Sequence, residues 1–183
     1  TFYSDLAKPF VKKFKFIKGF EDGKINYSSK KINNISNSHL NIYDFKLKQL
    51  PALTKLLTLA SLQGISDLLT GEGVRFDEFE MIFSNENKLM KIDEIYSIGP
   101  AISIMMDGYI QNDELVSLRG TLVPATTINK FVSSIPLLGE ILVGKKTGEG
   151  VFGVSFKIKG HPDNLKTTVN PIKTLTPRFI TRT

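Results

Sequence analysis

The stretch "VRFDEFEMIFSNENKLMKIDEIYSIGPAISIMMDGYIQNDELVSLRGTLVP", Val74 to Pro124, decides the fold, because its apolar residues recur every second position. In Phe76–Ser84, Phe79, Met81 and Phe83 fall on one face, against Glu78, Glu80 and Ile82 on the other. Ala101–Ile110 groups Ile102, Ile104, Met106 and Ile110, and Val116–Val123 aligns Val116, Leu118 and Leu122. Lys88–Gly99 lies between the first two as a further strand. Turns are expected at Asn85–Asn87 and at Gln111–Asp113, where Asn, Asp and Gln cluster. Strands joined by such short turns form an antiparallel meander.

Working outward, "VFGVSFKIK" (Val151–Lys159) alternates strictly through Phe152, Val154, Phe156 and Ile158, and Leu165–Pro171 reads as a last strand. Upstream, Glu21–Lys30 is expected to open on an Asp-Gly turn and continue as a strand. An Asn33-Asn34 turn then leads to a second strand, Ser38–Lys48, with a bulge between Ile42 and Tyr43 where the apolar parity changes. Three segments carry the helical period instead. In residues 2–17, Leu6, Phe10, Phe14 and Ile17 form a stripe, with the regular helix starting near Lys8 because Pro9 suits a first turn. Leu50–Gly73 carries Leu53, Leu56, Leu57, Ala60, Gly64 and Leu68, widened by Leu59, Leu62, Ile65 and Leu69, so it is buried on more than one side. Thr126–Leu142 is helical until Pro136. The fold class is therefore α+β: a strongly curved, mainly antiparallel meander of about eight strands, with two or three helices at its concave face or end. At 183 residues the chain suits one domain, 1–183.

Composition narrows the chemistry. There is no Cys, which removes disulfides, thiolate metal sites and Cys nucleophiles. The net charge of +6 is uneven: residues 1–55 carry 11 Lys against 4 acids, residues 56–135 carry 5 basic against 11 acidic groups, and residues 136–183 carry 8 against 3. Lys12, Lys13, Lys15 and Lys18 can attract phosphates, but no platform of aromatics interleaved with Arg supports nucleic acid, and Trp is absent. Two nucleotide-like motifs fail on context. In Gly139–Lys146, G-x-x-x-x-G-K-K, Lys146 stands where a P-loop needs Ser or Thr, and the loop interior is apolar. In Gly148–Gly153, G-x-G-x-x-G leads into a strand rather than the helix a dinucleotide site needs. His39 and His161 are the only imidazoles and read as surface residues. Asp93 with Glu94, and Asp113 with Glu114, read as solvated edges. No catalytic set, cofactor or metal site emerges.

Several blocks in order carry a resemblance: Gly120–Asn129 (G-T-L-V-P-x-x-x-x-N), Ile135–Gly144 (I-P-L-L-G-x-x-L-x-G), Gly148–Phe152 (G-E-G-V-F), and Val169–Pro171 with Pro177–Phe179. Over roughly residues 45–180 the chain resembles the C-terminal region of the bacterial AsmA-like proteins, near the YhdP-type branch. It departs at "GHPDNL", Gly160–Leu165, where the family often closes the turn with Asp-Pro. The resemblance implies a non-enzymatic module of the Gram-negative cell envelope, on the periplasmic face. Such proteins are anchored in the inner membrane by an N-terminal helix, which would lie outside this chain. It implies a bridge carrying phospholipid towards the outer membrane through an apolar groove. Groove candidates are Phe79, Met81, Phe83, Ile102, Ile104, Met106, Leu118, Leu122, Phe152, Val154, Phe156 and Ile158. A second candidate is the apolar tip Leu137, Leu138, Ile141 and Leu142 with Lys145 and Lys146, which either meets a membrane or partner or plugs the sheet end. Periodicity does not separate a lipid groove from a dry core. The alternative is a capping module that docks an outer-membrane or periplasmic protein without carrying lipid. Acyl chains are the expected partner, and neither nucleotide nor nucleic acid is.

Overall fold

The computed structural model describes residues 1–11, 19–48, 50–59, 71–112, 114–124 and 153–172. Within them lies one antiparallel sheet of nine strands in simple sequence order, with edges at the first and last strand, so it is not closed. The strands are β1 (Phe2–Ser4), β2 (Phe20–Ile32), β3 (Ile35–Leu47), β4 (Val74–Glu86), β5 (Leu89–Ile98), β6 (Ile102–Gln111), β7 (Leu115–Pro124), β8 (Gly153–His161) and β9 (Asn164–Ile172). Two short helices accompany them, α1 (Lys8–Val11) between β1 and β2 and α2 (Pro51–Leu59) between β3 and β4. The meander expected from the period-two pattern is thus present, with one more strand, β1, at its start. None of the described helices is long and apolar enough to cross a membrane.

The two ends of the sheet differ. At one end the strands join through tight turns at Asn33, Asn87–Lys88, Asn112 and Pro162–Asp163. Asn87 and Lys88 both take positive φ (45° and 67°), the conformation that matches a two-residue turn to the twist of its strands. At the other end sits α2. It begins just after β3, yet packs against β9. Laid flat, β3 and β9 would be six spacings, roughly 29 Å, apart, while nine helical residues reach only about 14 Å. The sheet must therefore curl around α2.

That curl is assisted by a kink shared by three strands. Inward positions jump by three, from Gly23 to Phe20 on β2, from Ile42 to Phe45 on β3, and from Phe79 to Phe76 on β4. The Cα pairing on either side keeps one register, as Ile42 with Phe79 and Phe45 with Phe76 show. The expected bulge in β3 is thus a register-preserving kink at Asp44 (φ 53°), and the expected Asp22-Gly23 turn lies inside β2 as its counterpart. True register shifts fall elsewhere, at Ile82/Phe83 against β5 and at Ile92/Ile95 against β6.

The main core lies at the α2 end. Leu53, Leu56 and Leu57 of α2 join Val74, Phe76, Ile102, Ile104, Leu122 and Phe156 in one cluster. Leu59, expected to widen the apolar stripe, is instead exposed. On α1 the expected stripe is also displaced: Leu6 and Phe10 are exposed, while Ala7 and Val11 are buried. β1 pairs with β2 through Phe2–Tyr27 and Ser4–Ile25, and the Ala7 N–H donates to the Gly23 carbonyl at 2.8 Å, which holds Ala7 against β2. The remainder of the three helical segments lies outside the described residues.

Gly108 marks a close approach between β6 and β7. It has φ 149°, and a Cβ there would collide with the backbone oxygen of Ser117 and come within 2.9 Å of the Leu118 Cα. Gly108→Ala is expected to lower stability by about 2 kcal/mol or more. The measurement is a lower urea midpoint at an unchanged slope.

Candidate functional site

Register threads one continuous inward face through the sheet. Leu40, Met81, Ile95, Met106 and Gly120 follow one another across β3 to β7. Beside them run Ile42, Phe79, Ser97, Ile104, Leu122 and Val154. Gly108, Leu118, Ile158 and Thr167 continue the face on the other side. Phe156 sits opposite Gly120, so close that a Cβ there would come within 2.8 Å of its ring. All the described groove candidates share this face. Phe152 and the tip Leu137, Leu138, Ile141, Leu142, Lys145 and Lys146 lie outside the described residues, as do both nucleotide-like motifs apart from Gly153.

Burial divides the candidates in two. Ile102, Leu122 and Val154 are 0% exposed, and Phe156, Ile104 and Ile158 are 3%, 5% and 7% exposed. These six are sealed, and Phe83, at 9%, is buried as well. Phe79, Met81, Met106 and Leu118 are only half-buried. They pack against a second, smaller cluster of Phe83, Ile92 and Ile95, displaced from α2 towards the hairpin turns. The inward face is therefore dry beside α2 and mixed towards the turns, where Phe83, Ile92 and Ile95 are buried and the apolar residues packed around them stay half-buried.

Met90 and Ile110 extend that half-buried surface, paired across β5 and β6 and packed on the same small cluster. With Asn85, Lys88 and Asn112 they line a depression of about 320 Å³ at the turn end. Sequence reasoning did not single out Met90, because strict alternation puts Ile92 and Ile95 on opposite faces. The shift around Asp93 and Glu94 returns both to the inward face. A rim of hydroxyls adjoins on β2 and β3: Tyr27 Oη lies 3.1 Å from Ser38 Oγ, which donates to Ser29 Oγ at 2.9 Å.

The outward face carries polar pairs among apolar residues, Val123 and Tyr96 being buried on it and Ile82 exposed. His39 Nε2 meets Glu80 Oε1 at 2.8 Å, and Arg119 Nε donates to Asp107 Oδ2 at 3.0 Å beside a second depression of about 400 Å³. His161 stands in the Pro162–Asp163 turn, exposed as expected. Glu94, expected at a solvated edge, is instead only 6% exposed, although its pairing with Ile82 keeps it on the outward face. Among the described residues no group of three or more His, Asp or Glu is arranged to hold a metal. What this geometry offers is apolar contact with hydrogen bonding at its margin.

Tyr96 gives a pH signature. Burial raises its phenol above the ordinary value near 10, and the charge of Glu78 raises it further. The native state then holds a proton that the unfolded chain releases first. This contribution is complete below about pH 10 and is lost as pH rises through the folded value. Tyr96→Phe is expected to flatten the alkaline fall in stability, measured as urea midpoints between about pH 9 and 11.

The chain matches no family model, no curated protein and no solved structure.

Proposed function

We propose that the chain is a non-enzymatic lipid-binding and lipid-transfer module, carrying acyl chains along the inward face of its curled sheet. One observation carries this reading: an apolar face continuous across the strands, sealed against α2 at one end, that keeps Phe79, Met81, Met90, Met106, Ile110 and Leu118 half-buried around the smaller cluster towards the turns. The AsmA-like blocks of the sequence point the same way, and by that resemblance the module works on the periplasmic side of a Gram-negative envelope, passing phospholipid towards the outer membrane.

The energetics suit transfer. Each methylene withdrawn from water contributes about 0.8 kcal/mol, and the contacts are spread over Phe79, Met81, Met106 and Leu118 rather than gathered in one deep cavity. Unbranched Met side chains adapt to chains of different shape. Lipid is thereby held without being trapped. Native mass spectrometry of the purified chain after mixing with phospholipid vesicles is expected to show adducts of one lipid mass. Labelled lipid is expected to move between donor and acceptor vesicles faster when the chain is added. Bare protein together with an unchanged transfer rate would exclude the proposal.

A further inference from the structure

We infer that the depression at the turn end holds the anionic headgroup of a single-chain or partly inserted lipid, with Lys88 as its cation and Asn85 and Asn112 as amide donors. The inference rests on the lipid-binding reading above and adds to it which lipids are preferred and which way round they lie.

The lining is amphiphilic in the order a lipid requires. Its floor is the half-buried Met90–Ile110 pair, which packs against the small buried cluster of Phe83, Ile92 and Ile95. Its wall is Asn85, Lys88 and Asn112, and no acidic side chain is among the described residues that line it. From Ile110 to Met106 the strand covers four residues, roughly 13 Å. Gly108 lies midway, opposite Ile92, which is 3% exposed. A hydrocarbon tail lying over Met90 and Ile110 meets apolar side chains at the edge of the small buried cluster, with half-buried Leu118 and Met106 beyond. A headgroup left behind meets one ammonium and two carboxamides, all able to donate to phosphate or carboxylate oxygens.

The wall is also preorganised. The backbone N–H of Asn112 donates to the Lys88 carbonyl at 2.8 Å, tying the β4–β5 and β6–β7 turns side by side. Both Lys88 and Asn112 sit at positive φ (67° and 54°). Alternation along β4 places Asn85 with Phe83 on the inward face and Glu86 on the other, so the nearest carboxylate on that strand points away from the wall. The outward depression carries two cations, Arg119 and Lys157, but also the Asp107 carboxylate, which already engages Arg119. It also lies on the outward face, with no extended apolar surface for a tail.

The test uses the full chain and two probes of equal chain length: lysophosphatidic acid, which is anionic, and the neutral monoacylglycerol. Affinities are read from displacement of Nile red below the micellar concentration of either. The anionic probe is expected to bind at least fivefold tighter, and that advantage is expected to shrink as salt is raised. Lys88→Gln is expected to weaken the anionic probe about fivefold and the neutral one less than twofold. Lys88 is an exposed turn residue, and circular dichroism verifies that the variant keeps its strand signal. Equal affinity of the wild type for the two probes, or equal weakening of both by Lys88→Gln, would overturn the headgroup inference and leave the lipid-binding reading standing. Failure of both probes to bind the wild type would remove the two together.

Discussion

Phe45→Ala is expected to cost about 3–5 kcal/mol of folding stability, a large share of the roughly 5–15 kcal/mol that holds a domain together. Phe45 is only 4% exposed and stands at the centre of an aromatic group. Phe20 and Phe76 stack on either side of it at 5.3 Å, each 14° from parallel, and Phe79 meets it edge-on at 6.5 Å. Truncation removes all three contacts together, each worth about 0.5–1.5 kcal/mol beyond buried area. It also opens a cavity where β2, β3 and β4 kink in concert, and the curl that lets α2 reach β9 depends on that level. Phe10 is the control. It too has an aromatic neighbour, Phe2 at 4.7 Å, but is 38% exposed, so Phe10→Ala is expected to cost under about 1 kcal/mol. Urea unfolding of the two variants beside the wild type decides the matter. A loss at Phe45 no larger than that at Phe10 would show that the ring stack is not what fixes the kink.

Much of this architecture was legible because a half-buried strand writes its burial into alternate residues. "FEMIF" and "VSFKIK" alternate cleanly, and the structure puts Phe79, Met81 and Phe83 on the same face as Phe156 and Ile158, through five aligned strands. The strand order followed from turn chemistry, since Asn33-Asn34 and the Asn-rich segment before Leu89 allow only short reversals. What stayed hidden has a common physical cause. Alternation is a local signal, and it fails wherever tertiary geometry shifts the phase. The jump from Ile42 to Phe45 looked like a bulge from within β3, but it is a kink coordinated with Gly23–Phe20 and Phe79–Phe76, which no single strand reveals. The phase change at Asp93–Glu94 hid Met90 from the candidate face. Strand β1 was invisible because three residues, Phe2–Ser4, carry too little pattern to compete with the helical spacing that follows them. Finally, which part of the apolar face is sealed depends on where α2 lies. That is a fact about packing between distant elements, not about the period of any of them.

A pair of charged substitutions on that one face is expected to give opposite outcomes. Ile104→Asp should unfold the domain: the side chain is 5% exposed and packed in the α2 cluster, where a carboxylate has no partner to offset several kcal/mol of lost hydration. Met81→Asp should leave the sheet intact. Met81 is half-buried and packs on the smaller cluster, so its carboxylate keeps contact with water and costs only about 1–2 kcal/mol. The same carboxylate would stand beside Leu40 and Ile95, on the route proposed for the tail. Lipid capture is therefore expected to fall at least tenfold in Met81→Asp, with the far-ultraviolet circular dichroism unchanged. The contrast separates a groove from a core because the two positions have similar apolar character and the same inward aspect, and differ mainly in access. If Met81→Asp unfolds as Ile104→Asp does, the turn-end face is ordinary interior and no tail can lie on it. If it folds and captures lipid as the wild type does, lipid is held elsewhere, and the accessible apolar surface must be assigned another occupant.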